Sequence, residues 1–188
     1  SVMLRDPAGR FTQEPLPDLS GAEREAEAIA GFINTSALTS DDATESVVKR
    51  RLGSAGLIHL ATHGLLEYGD PAETGSEDVP GAVALAPGLN EDGLLTTAEI
   101  LQMDLQASLV VLSACDTGRG RITGDGVIGL SRAFVAAGAP SLVVSLWAVP
   151  DAPTAELMTE FYRQLSLGQT KAQALRQAML VTMETHEH

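Results

Sequence analysis

The sequence predicts an α/β fold with a mainly parallel central sheet, on three observations. Short apolar segments rich in β-forming residues occur at 57–62, 108–112 and 141–147. Segments in which apolar residues recur at helical spacing alternate with these predicted strands. The strands are apolar nearly throughout, which is typical of parallel strands that helices cover on both faces.

The predicted elements fit one domain, because 188 residues is an ordinary domain length. Residues 1–17 contain three prolines and are expected to form an irregular lead-in, so the domain is placed at 18–188. The segment 67–80, rich in glycine, proline and acidic residues, is expected to be a surface insertion. A hairpin strand is predicted at 81–86. Helices are predicted at about 20–33, 42–52, 126–137, 153–166 and 171–184, with a short one from residue 96.

Residue pairs typical of helix starts mark four of these helices. In a capping box, the first side chain accepts a hydrogen bond from an amide of the first turn, and the side chain three residues later bonds back. The pairs are Ser20 with Glu23, Asp42 with Glu45, Thr96 with Glu99, and Thr170 with Gln173. Gly138 is expected to end the helix predicted at 126–137.

The charge and the cysteine count limit the partners and the compartment. Twelve basic and 25 acidic residues give a formal charge of −13, so the surface repels phosphate and nucleic acid is not expected as a partner. A single cysteine excludes an intramolecular disulfide and fits a reducing compartment, here taken as the cytoplasm. The sequence has no apolar run of membrane-spanning length and no signal peptide, and its Ser-Val-Met start is typical of a fragment.

Chemically active residue types follow the predicted strands. His63 comes after the first strand, Cys115 after the second and Asp151 after the third. Ligands of open α/β sheets bind beyond the carboxyl ends of the strands. We therefore expect this edge of the sheet to carry the site.

A cysteine nucleophile needs an imidazole nearby and amide donors for the oxyanion. His63 and Cys115 suit the pair, and the amides of Gly64 and Cys115 are expected to form the oxyanion hole. The alternative is an inert buried cysteine and a structural histidine. His59, inside the strand, is interpreted as a core residue. The histidines and the cysteine show no metal-ligand spacing, so no metal is predicted.

The position of Asp151 in the sequence allows two interpretations. It precedes Ala152-Pro153 and a predicted helix, so it suits an N-cap with proline in the first turn. It also suits the floor of a pocket for a basic side chain.

A glycine pattern offers a competing interpretation of the chain as a nucleotide-binding domain. Gly124, Gly126 and Gly129 match G-x-G-x-x-G at the start of a helix. In a dinucleotide site, however, the first glycine lies in the tight turn directly after the strand. Here about ten residues intervene, so no nucleotide or other cofactor is predicted.

The sequence resembles the CHAT domain family, caspase-like domains often linked to tetratricopeptide repeats. The likeness covers about residues 18–185, and its most specific part is Ser113-Ala-Cys115-Asp-Thr-Gly118. The other matching segments are Ala61–Gly64, Asp92–Thr96, Val110–Leu112, Gly124–Ala139 and Ser145–Trp147, with a final helix around Lys171–Arg176.

The resemblance implies a caspase-like three-layer αβα sandwich and limited proteolysis of a protein partner. It implies His63 as general acid/base and Cys115 as nucleophile. By similarity to separase-like peptidases, Asp151, four residues after Trp147, would bind an arginine side chain before the cut. Asp116 and Trp147 are the other predicted residues of the substrate pocket. The family more often has acids where this chain has Pro150 and Ala152, and usually continues into an aromatic-rich segment that is missing here.

The sequence thus predicts a cysteine endopeptidase, which in isolation is either active or latent until a repeat-containing regulatory region is present. The alternative from another class is a catalytically silent protein-interaction domain with a vestigial dyad. A nucleotide-binding enzyme is the remaining alternative.

Overall fold

The computed structural model describes residues 2–5, 11–14, 16, 18–65, 81–89, 91–115, 124–145 and 149–186, with only the main chain described in the first two ranges and at 20, 114, 115, 124–128, 151 and 186. The chain divides into two compact units. The sheet unit comprises residues 1–18 and 40–148, and the helical unit comprises residues 19–39 and 149–188.

The sheet unit contains the strands. They are β1 (Val2–Arg5), β2 (Phe11–Glu14), β3 (Ile58–Leu65), β4 (Ala82–Ala84), β5 (Leu94–Thr96), β6 (Val110–Cys115) and β7 (Leu142–Val144). Five of them form one sheet in the order β5-β4-β3-β6-β7. β3, β6 and β7 are parallel neighbours, whereas β4 is antiparallel to both β3 and β5. Four of the five strands therefore run in one direction, which confirms the predicted mainly parallel α/β sheet.

The helices are α1 (Ser20–Phe32), α2 (Glu45–Leu52), α3 (Thr97–Leu101), α4 (Gly124–Ala136), α5 (Asp151–Ser166) and α6 (Lys171–His186), with a 3₁₀ turn at Ser40–Asp42. α1, α5 and α6 belong to the helical unit and the others to the sheet unit. Every predicted helix is present, within a few residues of its predicted bounds. This alternation of strands and helices is consistent with the caspase-like αβα sandwich that the resemblance implied.

The core of the sheet unit is centred on β6, as its uniformly apolar sequence predicts. Val110 and Val111 are fully buried and Leu112 nearly so. Phe134 of α4 and Ile100 of α3 are also fully buried. Burial of each such side chain contributes about 1.5–3 kcal/mol.

The N-terminal segment differs from the prediction. Residues 1–17 were expected to be irregular, but β1 and β2 pair as antiparallel strands, with Val2 opposite Glu14 and Arg5 opposite Phe11. Valine, phenylalanine and threonine favour extended backbone. The three prolines at 7, 15 and 17 lie outside both strands, so they do not interrupt the pairing.

β3 and β6 are longer than predicted. They end at Leu65 and Cys115, three residues beyond the predicted ends. β3 is extended because β4 pairs with its last residues, Gly64 with Val83 and Leu65 with Ala82. β7 spans only residues 142–144 of the strand predicted at 141–147, because residues 141 and 145 are described and lie outside it. Residues 146 and 147, and the whole of the predicted surface insertion at 67–80, lie outside the described residues.

Candidate active site

The parallel ladder between β3 and β6 brings two of the predicted residues side by side. The register runs from Ile58 opposite Val110 to His63 opposite Cys115. Neighbouring strands lie about 4.8 Å apart. Because the strands are parallel, the partners lie at the same edge of the sheet, the edge where α/β proteins bind ligands.

His63 and Gly64 lie near the end of β3, which continues past the strand predicted at 57–62. The His63 side chain is 6% exposed, and Gly64 is also buried. On the neighbouring strand, Ser113 is 9% exposed. The imidazole is therefore held in packed protein at the end of the ladder. Of Cys115, the last residue of β6, the structure describes the main chain.

A side-chain hydrogen bond fastens β3 to β4 next to the histidine. Thr62 Oγ1 donates to the main-chain oxygen of Ala84 over 2.7 Å. The next pairs in the β3–β4 ladder are Gly64 with Val83 and Leu65 with Ala82. β3 therefore contacts β4 both before and after His63 along the chain.

The turn between β4 and β5 is anchored by a buried glutamate of α2. Glu45 Oε2 accepts a hydrogen bond of 3.0 Å from the Gly93 amide, and Gly93 O accepts one of 2.7 Å from the Leu85 amide. Gly93 has φ +83°, and a Cβ there would lie 2.7 Å from Leu85 O and 2.9 Å from Pro87 N. Only glycine fits this position without moving the main chain.

Lys49 of α2 bonds to the Glu45 carboxylate on its own helix and joins α2 to α3 through Glu99. Its Nζ donates to Glu45 Oε1 and, over 2.7 Å, to Glu99 Oε1. Burial alone would lower the pKa of Lys49, but the hydrogen bonds to Glu45 and Glu99 raise it above its ordinary value. Burial alone would raise the pKa of Glu99, but hydrogen bonds from Lys49 and Thr96 lower it. This charged cluster holds both helices against the β4–β5 hairpin.

The predicted pocket residues belong to segments that are described only in part. Asp151 is the first residue of α5, in the helical unit, and Asp116 and Trp147 lie outside the described residues. The interpretation of Asp151 as N-cap is wrong, because Pro150 occupies that position. Pro150 O accepts hydrogen bonds from the amide and the hydroxyl of Thr154.

The glycine pattern lies within a helix rather than in a phosphate-binding turn. α4 begins at Gly124, so Gly126 and Gly129 are both helical. Eight residues, 116–123, separate the end of β6 from this helix. A dinucleotide site needs the first glycine directly after the strand, and this arrangement therefore does not favour one.

Sequence reasoning missed the residues that fix the end of β3. Thr62 bonds to a residue 22 positions away, and Glu45 to one 48 positions away. The periodicity of each segment carries no signal for such partners. Only the position of Thr62 beside a candidate histidine could have drawn attention to it.

Two further observations concern the described ranges as a whole. No helix in them combines the length and the apolar character that crossing a bilayer demands. Nor does the described part of the chain bring together three His, Cys, Asp or Glu side chains in a way that could hold a metal ion.

Comparison with known proteins agrees with the resemblance. The family model for the CHAT domain matches residues 3–188, which includes most of the N-terminal segment. Tetratricopeptide repeat protein 28 of Homo sapiens is 32% identical over 203 residues, and the Mus musculus protein of the same name is 31% identical. Each alignment covers 94% of this chain but only 8% of the relative. These names agree with the predicted link between the family and tetratricopeptide repeats.

Proposed function

This chain belongs to the CHAT domain family, and on that premise we propose that it is a cysteine endopeptidase with Cys115 as nucleophile and His63 as general acid/base. Its reaction would be the cleavage of a protein partner at a limited number of sites. The observation that carries the proposal is the register of β3 and β6, in which His63 and Cys115 are Cα partners.

The register matters because a dyad needs its two side chains on the same face of the sheet. Residues directly opposite one another on neighbouring strands share a face, whereas a shift of one residue reverses it. A pairing of Thr62 or Gly64 with Cys115 would therefore have opposed the proposal. A glycine follows His63, and we propose that its lack of a side chain lets a substrate main chain approach the dyad.

The proposed chemistry proceeds in two steps. His63 takes the thiol proton of Cys115, and the thiolate attacks the scissile carbonyl carbon. The amides of Gly64 and Cys115 are proposed to donate to the oxyanion. His63 gives the proton to the departing amine, which leaves a thioester on Cys115. A water molecule, deprotonated by His63, then hydrolyses the thioester and restores the thiol.

The proposed substrate carries a basic residue before the cut. Asp151, together with Asp116 and Trp147, is proposed to form the pocket for that side chain. The proposal is supported by the resemblance to separase-like peptidases and by the formal charge of −13, since an acidic surface attracts cationic segments. A repeat-containing region elsewhere in the full-length protein is proposed to recruit the partner, as the names of the relatives suggest.

The test is labelling of the purified domain with acyloxymethyl-ketone probes that carry Arg, Lys, Asp or Leu at the first position. Cys115 is the only cysteine, so a label that depends on a thiol reports on this residue alone. We expect the Arg probe to label the parent, and Cys115→Ala and His63→Ala to abolish labelling. Asp151→Asn is expected to lower labelling by the Arg probe more than labelling by the Leu probe.

His59 supplies the matched control. It lies four residues before His63 on β3, opposite Val111, which places it about 13 Å away along the strand. His59→Ala should label like the parent. Labelling that survives His63→Ala would overturn the dyad.

An absence of labelling in the domain moves the test to the full-length protein with its partner. If the full-length parent also fails to label, and Cys115→Ala still binds the partner, the chain is a protein-interaction domain and not an endopeptidase.

A further inference from the structure

We propose that Thr62 is a positioning residue for His63. It holds the end of β3 at the position along β6 that places His63 opposite Cys115. This inference rests on the proposed function, and it adds a residue that neither touches substrate nor exchanges a proton.

The hydroxyl of Thr62 connects β3 to β4 at the residue immediately before His63. It donates a hydrogen bond of 2.7 Å to the main-chain oxygen of Ala84. The β3–β4 register covers only two pairs, and both come after His63. The hydroxyl therefore adds a bond to β4 before the histidine, whereas both pairs of the register come after it.

β4 is held firmly in the sheet unit. Ala82 and Val83 are fully buried and Ala84 is 5% exposed. On its other side, β4 pairs with β5 through all three of its residues. Beyond it, Leu85 bonds to Gly93, whose amide is held by the buried carboxylate of Glu45. A bond to this strand therefore transmits little motion to β3.

The rate of proton transfer between His63 and Cys115 depends steeply on the distance between them. A misplacement of about 1 Å can cost about 100-fold in rate, and catalytic groups must be held to within about 0.5 Å. β6 holds β3 from the other side through the parallel ladder. Thr62 opposes sliding of β3 along β6, which is the motion that would separate His63 from Cys115.

The test measures the rate of Cys115 alkylation by iodoacetamide as a function of pH, because this readout needs no substrate. If the dyad is formed, the midpoint lies below about 8.5, the value of an ordinary thiol. Thr62→Val keeps the shape of the side chain and removes the donor. We expect it to move the midpoint towards 8.5 and to lower the rate at neutral pH by about tenfold. Thr62→Ser, which restores the hydroxyl, should return the midpoint to the parent value.

Thr159→Val is the matched control. Thr159 is also half-buried, and its hydroxyl also donates to a main-chain oxygen over 2.7 Å, but within α5 of the helical unit. Its variant should keep the parent midpoint. Circular dichroism on every variant identifies any that does not fold, and Thr62→Ala takes the place of Thr62→Val in that case.

The outcomes separate this inference from the proposed function. If the parent has an ordinary midpoint that His63→Ala does not change, the dyad itself is wrong. If His63→Ala raises the midpoint but Thr62→Val does not, the dyad stands and the role of Thr62 is wrong. Failure of Thr62→Ser to restore the parent midpoint would also overturn that role.

Discussion

The sheet unit and the helical unit use polar side chains over different distances along the chain. In the sheet unit, Thr62 and Glu45 bond to main-chain atoms 22 and 48 residues away. In the helical unit, the hydroxyls of Thr159 and Thr182 donate to carbonyls four residues earlier in the same helix. The long-range bonds fix one element against another, whereas the local ones only complete a helix.

This difference indicates which unit depends on polar contacts to hold its elements in place. The helical unit buries the apolar side chains of Ile29, Phe161, Ala174 and Ala178. It also buries Glu25 of α1 and Tyr162 of α5, and burial together with the charge of Glu25 raises the pKa of Tyr162. Apolar packing is non-directional and tolerates small shifts. The directional bonds of the sheet unit do not, which suits the unit that carries His63 and Cys115. Substitutions of Thr62 and Glu45 should therefore cost more than substitutions of Thr159 and Thr182.

The largest expected effect is that of Glu45→Ala. It leaves the Gly93 amide without the carboxylate and removes one of the acceptors of Lys49. Loss of a buried charged acceptor costs about 3 kcal/mol. Urea unfolding followed by circular dichroism would measure this loss in the free energy of unfolding. Glu45→Gln keeps an oxygen for Gly93 and should lose about half as much. A loss below about 1 kcal/mol for Glu45→Ala would show that the hairpin does not depend on this anchor.

Two glycines with nearly the same φ angle give the next comparison. Gly93 has φ +83° in the sheet unit, and Gly168 has φ +84° in the helical unit. A Cβ at Gly93 meets main-chain atoms at 2.7 and 2.9 Å, whereas one at Gly168 meets nothing within 4 Å. Gly168→Ala should therefore cost about 1 kcal/mol, the strain of a left-handed alanine, and Gly93→Ala about 2–3 kcal/mol. Equal losses in urea unfolding would contradict the steric argument.

The pH dependence of stability is expected to involve Glu99 on the acid side. The pKa of Glu99 is lowered in the folded state, so its contribution is present above its ordinary value of 4.5 and is lost as the pH falls through the folded value. The pKa of Lys49 is raised, so its contribution persists below 10.5 and is lost only in strong alkali. Glu99→Gln should flatten the fall in urea midpoint between neutral pH and about pH 3. An unchanged slope would mean that the carboxylate contributes no stability.

The smallest expected effect belongs to the ion pair on the surface of α5. Arg163 donates to both oxygens of Glu160, which lowers the pKa of Glu160. Arg163 is exposed, so water and salt screen the pair. Glu160→Gln should leave the urea midpoint at neutral pH within its error. A clear loss that 1 M salt does not reduce would contradict this and weaken the contrast between the two units.

The helix starts show which predictions depend on neighbouring residues alone. The capping boxes of Thr96 with Glu99 and of Thr170 with Gln173 are confirmed by reciprocal hydrogen bonds. Each involves residues three positions apart, so the local sequence contains both partners. Gly138, with φ +115°, likewise follows the end of α4 as predicted.

The other two helix starts were wrong for reasons that lie outside their segments. Glu45 was expected to bond back to Asp42, but its carboxylate binds Gly93 and Lys49, and Thr44 precedes the helix. α1 begins at Ser20 itself, with Leu19 in the cap position. For Glu45, a distant amide and a lysine one turn along replaced the local partner.

The sequence by itself determined the class of fold, the helices and the edge of the sheet that carries His63 and Cys115. It could do so because apolar periodicity is written in neighbouring residues and parallel strands end at a common edge. Only the tertiary structure decided the register of β3 on β6, the extension of β3 past His63 by β4, and the roles of Thr62 and Glu45. Those features depend on pairings between residues from 17 to 52 positions apart, and the pattern of either partner alone contains no information about the other.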